Sequence, residues 1–243
     1  MSLVRFSRTA KLNIEGSKRL MGVMNVYKIA IITDENSWIK PYIEHLEKDL
    51  CNMGHTVVCR YSFDKEHAYD FVFLLSYQEI IKKEWLRLNR HNLVVHESDL
   101  PRGKGWSPLT WQILEGKSHI MITLFEANEH VDAGKIYLQE EMYFDGTELI
   151  DDLRKIQGEA TCTLCTEFIR NYPDVLRMGR EQEGEESFYP RRCSKDSCLD
   201  LDRTIREQIN LLRVVDNERY PAFFEWMGHR YYLKISREKE PLL

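Results

Sequence analysis

Asn92 to Pro108 reads NLVVHESDLPRGKGWSP. An apolar run of strand length, Asn92 to His96, passes directly into a polar segment, Glu97 to Ser107, that carries Pro and Gly. A short apolar run closed by turn residues reads as a buried strand. Ligands of open α/β sheets collect at the carboxyl ends of the strands, so the polar segment stands where a site is expected. His96 ends the strand. An unperturbed imidazole titrates near ~6.5, which suits proton transfer. Capping the strand or bonding a carbonyl is an equally good reading of His96 alone.

Outward from this stretch the chain alternates strands with helices. Val26 to Thr33 (VYKIAIIT), Thr56 to Tyr61 (TVVCRY) and Asp70 to Leu75 (DFVFLL) read as strands. Trp38 to Asn52 places Ile39, Tyr42, Ile43, Leu46 and Leu50 at helical spacing, and Gly54-His55 ends that helix. Gln78 to Leu88 and Leu109 to Glu115 read as helices, His119 to Phe125 and Lys135 to Tyr143 as strands, and Thr147 to Tyr172 as a long helix. The alternation predicts an α/β fold, a mostly parallel sheet with helices on its faces. Beyond it, Gly179 to Glu186 (GREQEGEE) reads as a linker or surface loop. Leu201 to Val214 reads as a helix and His229 to Ile235 as a terminal strand. The expected division is a tail, disordered or mis-started, over 1–23, a catalytic domain over 24–178 and a small α+β region over 179–243.

The 243 residues carry 34 Lys+Arg against 39 Asp+Glu, a net charge of -5, with 43% hydrophobic and 11% aromatic residues. That aromatic content excludes a disordered chain. The acidic balance argues against nucleic acid as a partner. No apolar stretch approaches the ~20 residues that span a bilayer, so the expectation is a cytoplasmic protein without a membrane partner. Of six cysteines, Cys162 and Cys165 are spaced as CxxC and Cys193 and Cys198 lie close together. A four-thiolate zinc site is one reading. Against it, the CxxC falls inside the long helix rather than on a turn, so reduced thiols and no metal are expected.

Several chemistries are missing. Asp34 to Trp38 follows the first strand where GxGxxG would cradle a dinucleotide, and no GxxxxGK[ST], GxSxG or HExxH occurs. What does occur is a second polar loop, Glu129 to Ile136 (EHVDAGKI), between two strands. Asp132 there can reach the same sheet edge as His96, and a carboxylate beside an imidazole orients it and stabilises its protonated form. A turn Asp bonding its own backbone is the plainer local reading.

Taken in order, His96-x-Ser98-x-Leu100-Pro101, Gly105-x-Ser107-Pro108, Gly116, Thr123-Leu124 and Asp132-Ala133-Gly134-x-Ile136 resemble the N10-formyltetrahydrofolate-dependent formyltransferases. The resemblance runs from about Lys28 to Ile235. It is closest to the sugar N-formyltransferases, whose HxSDLPxGxGWSP and WQILEG stand here as His96 to Pro108 and Trp111 to Gly116. It implies a Rossmann-like catalytic core with a small C-terminal appendage, and N10-formyltetrahydrofolate as cofactor. The acceptor would be the amine of a dTDP- or UDP-linked 4-amino-4,6-dideoxyhexose destined for surface glycan. Glycinamide ribonucleotide or methionyl-tRNA are alternative acceptors, and a non-catalytic folate or nucleotide-sugar binder is a third reading. A homodimer through the C-terminal part is expected.

On this resemblance His96 and Asp132 are catalytic. Leu75, Ser76, Tyr77, Asp132 and Gly134 would hold the folate. Tyr77, Lys104, Gly105, Trp106, Arg191, Arg192, Arg213 and Asn217 would hold the sugar nucleotide. Trp111, Tyr220, Phe223 and Phe224 read as core. One position departs: the family places Asn two residues before the histidine, and here it is Val94. Strand alternation puts Val94 on the face of His96, while Asn92 lies about 7 Å deeper. The oxyanion contact then falls to Ser98, to backbone N–H groups or to the protonated imidazole, and loss of one such donor costs about 10²–10³ in rate.

Overall fold

A computed structural model describes residues 25–238; the expectation for the first 23 residues lies outside them. Six strands form the main sheet: β1 Lys28–Ile32, β2 Thr56–Arg60, β3 Phe71–Leu74, β4 His91–His96, β6 His119–Glu126 and β7 Ile136–Tyr143, in the order β2-β1-β3-β4-β6-β7. The first four are mutually parallel, and β6 and β7 add antiparallel. The two-residue β5 Lys104–Gly105 lies between β4 and β6 in the chain, and the helices are α1 Lys40–Asn52, α2 Lys83–Leu86, α3 Pro108–Leu114 and α4 Ile150–Asn171. This is the α/β, mostly parallel architecture read from the alternation.

The strands are apolar because both faces are covered. On one face Ile29, Ile31, Phe71, Phe73, Leu93 and Val95 pack beneath α1 and α4. On the other, Ala30, Ile32, Val72 and Leu74 pack with Phe63, Trp85 and Val94. α1 buries Ile43, Leu46 and Leu50, one stripe at helical spacing. α4 presses against α1 at Gly158, where a Cβ would come within 2.5 Å of the Tyr42 ring. Only hydrogen fits there, which explains a glycine inside a long helix. Cys162 and Cys165 both lie on α4, and burial, followed by the charges of Asp49 and Glu159, pushes the Cys162 thiol up to about 12. No group of three or more His, Cys, Asp or Glu able to hold a metal gathers among the described residues.

The structure differs from the sequence reading in three segments. The helix expected over 78–88 is a single turn, α2; residues 76–81 form an irregular segment that lines a cavity, fixed by the Gln78 N–H on Asp34. The helix expected over 201–214 begins only at α5 Ile209–Val214. The Gln208 side chain takes the carbonyls of Asp200 and Arg203 and closes the preceding residues into turns. The segment read as a linker or loop over 179–186 is a strap. Arg180 pairs with Ile136 of β7, and β8 Phe188–Tyr189 pairs in parallel with β5. After α5 a hairpin of β9 Ala222–Trp226 and β10 His229–Leu233 closes the chain. Phe223 is buried there and Phe224 half-buried, in line with their reading as core, whereas Tyr220 is exposed. Among the described residues no helix is long and apolar enough to cross a membrane.

Candidate active site

The carboxyl ends of β3 and β4 open into a cavity of about 820 Å³. It wraps around the end of the sheet. Leu74, Tyr77, Ile81, Val94 and Ala127 line it on the face away from α1 and α4. Ile39, Leu153, Gln157 and Thr161 line it on the helical face. Strand alternation explains the division: Val94 and His96 turn one way, Val95 and Glu97 the other. Three non-glycine residues of the wall, Ser76, Ser107 and Asp132, hold φ near +50° (51°, 49° and 51°). Such conformations are costly and cluster where a loop must aim a group.

His96 and Asp132 converge in this wall, 3.8 Å apart between Nε2 and Oδ2, both nearly buried. The bond that orients the ring comes from elsewhere. Nε2 lies 2.8 Å from the Gly103 carbonyl oxygen, which can only accept, so Nε2 carries the proton and donates it. Nδ1 has no protein partner among the described residues. Asp132 Oδ2 instead accepts the Gly105 N–H at 2.8 Å. The strap fixes both loops. Gly103 N–H donates to Ser187 Oγ, and the Gln182 amide donates to the carbonyls of Asp132 and Gly134.

Val94 does line the cavity, so no carboxamide stands there. Asn92 is no substitute, since its amide is committed to Leu86 and Asn89. Ser98 does not line the cavity. Its hydroxyl is buried without a partner, packed beside Gly103 and outside the cavity wall.

Leu75, Ser76, Tyr77, Gly105, Trp106, Arg191 and Arg192 all line the cavity. Burial, then the Glu79 carboxylate that accepts its hydroxyl, pushes the Tyr77 phenol up. Arg191 reaches Gln78 Oε1, while the Arg192 Nε is buried without a partner and burial lowers its pKa. Four expected contacts lie outside the wall. Lys104 is buried and ion-paired with Glu186 of the strap at 2.5 Å. Arg213 is buried against Glu148 and Asn210, and Asn217 spends its amide on the backbone of Ile235. Gly134 is a packing position, since a Cβ there would fall 1.5 Å from the Glu126 carbonyl oxygen.

The sequence reading missed Glu97, Gln157 and the Arg154–Asp216 ion pair, all in the wall. Burial pushes the Glu97 carboxyl above its usual range, opposed by His96 and by a bond from Gln157 and reinforced by Asp132. Adjacency to His96 was a visible signal for Glu97; nothing in the α4 sequence marks Gln157. Tyr220, read as core, also belongs to the wall.

Residues 62–161 match the sequence family described as formyl transferase. The chain is 26% identical over 175 residues to the methionyl-tRNA formyltransferase of Thermodesulfovibrio yellowstonii, covering 70% of this chain and 53% of that protein. It spans about half the length of the curated relatives it matches. Among solved structures, it is similar to a sugar N-formyltransferase from a Shewanella species, with TM-score 0.64 and 18% identity over 88% of this chain and 99% of that one. It is also similar to HypX from Aquifex aeolicus in complex with tetrahydrofolic acid, with TM-score 0.71 and 16% identity over 87% of this chain and 38% of that one. The fold is that of the formyltransferases.

Proposed function

We propose that the chain transfers a formyl group from N10-formyltetrahydrofolate to the amine of a nucleotide-linked 4-amino-4,6-dideoxyhexose, a building block of surface glycan. The observation that carries this reading is the convergence of His96 and Asp132, 36 positions apart in the chain, at 3.8 Å in the wall of a large cavity. The apolar slot between Tyr77, Ile81, Val94 and Ala127 suits a planar heterocycle, with the loop before Asp132 offering backbone groups to its edge. When bound there, N10-formyltetrahydrofolate supplies an activated formyl carbon. The same cavity wall carries Trp106, Arg191 and Arg192, which suit a sugar carrying a diphosphate.

His96 lines this cavity. Its Nε2–H is committed to Gly103, which leaves Nδ1 to take a proton or, once protonated, to donate to the formyl oxygen as negative charge develops there. Asp132 places a carboxylate where it favours that positive imidazole. The curated relatives make methionyl-tRNA the second reading. The net charge of -5 favours the smaller acceptor over a polyanion.

The test is incubation of the purified protein with N10-formyltetrahydrofolate and, separately, dTDP- and UDP-linked 4-amino-4,6-dideoxyhexoses and charged initiator tRNA. A sugar nucleotide gaining the mass of one formyl group is expected, with that gain lost in His96→Ala. Formylation of the tRNA alone would overturn the choice of acceptor. Turnover unchanged in His96→Ala would overturn the mechanism.

A further inference from the structure

Glu97 has no part in the chemistry above, yet it occupies a special place. It follows His96 directly, but on the helical face of the sheet, in the lobe opposite the apolar slot. Its main chain is pinned, because the Gln112 side-chain amide donates to the Glu97 carbonyl oxygen at 2.6 Å. Gln157 of α4 shares the cavity wall with it. Apolar Ile39, Leu109 and Leu153 stand in the same wall, beside Gln157, Thr161 and the Arg154–Asp216 pair. A carboxylate fixed in such a pocket, one residue from the reacting histidine, is arranged to receive a cation.

An alkyl amine is mostly an ammonium ion at neutral pH, and an ammonium ion has no lone pair with which to attack a formyl carbon. Resting on the reading of this site as an amine formylation centre, we propose that Glu97 binds the acceptor's ammonium group and takes its proton. The step balances: R–NH3⁺ and the Glu97 carboxylate become R–NH2 and the Glu97 carboxylic acid, and the N–H bond's electron pair stays on nitrogen as the nucleophilic lone pair. Burial strengthens the carboxylate as a base, because it makes the neutral acid easier to form. The charged and titratable groups sharing the wall are His96 from β4, Asp132 from its loop, and Arg154 from α4, the last paired with Asp216. Glu129 and His130 of the loop before Asp132, Glu79, Tyr77, Arg191, Arg192, Cys193, Arg219 and Tyr220 complete the set.

Binding without any formyl donor tests this independently of turnover. A dTDP-4-amino-4,6-dideoxyhexose and its 4-hydroxy counterpart are titrated calorimetrically into the wild type and into Glu97→Gln at pH 7. The wild type is expected to prefer the amine by about tenfold or more, and Glu97→Gln to lose that preference while binding the hydroxyl sugar as before. Glu97→Asp should restore part of it. A preference that survives in Glu97→Gln overturns the proposal, as does an equal loss for both ligands, which marks a purely structural residue. A wild type that binds neither sugar nucleotide overturns the acceptor reading, and this inference with it.

Discussion

The carbonyl oxygen of Gly103 stands 2.8 Å from His96 Nε2, closer than the Asp132 carboxylate at 3.8 Å. The backbone of the polar loop after β4 therefore sets the tautomer of the histidine, and the Asp132 carboxylate stands beyond hydrogen-bonding reach of the ring. Orienting the ring falls to the glycine carbonyl, while Asp132 is tied to the Gly105 N–H.

That division makes Asp132→Asn informative. Asparagine tolerates the +51° φ of this position and can still accept the Gly105 N–H, so the loop keeps its shape. Only the negative charge is lost. Formyl transfer should fall by about 10²–10⁴ with little change in melting temperature. A wild-type rate in this variant would show that the carboxylate's charge is not used.

Gly134→Ala should do the reverse and damage the fold first. The new methyl would lie 1.5 Å from the Glu126 carbonyl oxygen, backbone against backbone, where β6 and β7 meet at an irregular register. A loss of about 2 kcal/mol or more in unfolding free energy is expected, measurable by denaturant titration.

Lys104 offers a test of the strap. Its ammonium is only 2% exposed and answers to Glu186, which is 55% exposed. Removing one partner of a fully buried pair costs about 3–5 kcal/mol. Solvent at Glu186 lowers this, so Glu186→Gln should cost about 1–3 kcal/mol. Adding Lys104→Met to Glu186→Gln should recover most of the loss, because no lone buried charge is left. A double variant no better than Glu186→Gln would argue that the pair's charge is immaterial.

Asp216 should make stability depend on pH. Burial pushes its carboxyl up, but N–H bonds from Arg219 and Glu218 and the Arg154 guanidinium win and hold it below its usual value. A folded pKa below the unfolded one contributes stability above the unfolded value near ~3.9. That contribution disappears as pH falls through the folded pKa. Asp216→Asn should therefore melt below the wild type at pH 7, and the two melting curves should converge in acid.

How much of this was legible beforehand depends on the range of the interaction. Val26 to Thr33, Asp70 to Leu75 and Asn92 to His96 announce themselves as strands because both faces of a parallel strand are apolar. Lys104, Arg213 and Asn217 looked like ligand contacts because polar residues near a site usually are. Their partners Glu186, Glu148 and the Ile235 backbone lie far off in sequence, and no local pattern reports such pairings. The Gln78 to Leu88 helix failed for a similar reason: helical spacing there was overruled by the cavity wall that residues 76–81 have to form.

The sequence by itself determined the six strands of the main sheet, the face on which Val94 and His96 lie, and the polar loop that follows them, because periodicity and turn chemistry act over a few residues. Tertiary structure alone decided that Asp132 reaches His96, that residues 179–190 cross back to hold both loops, and that Glu97 opens into the opposite lobe. Those relations join residues far apart in the chain or on different elements, and they exist only once the sheet has brought its carboxyl ends to one edge.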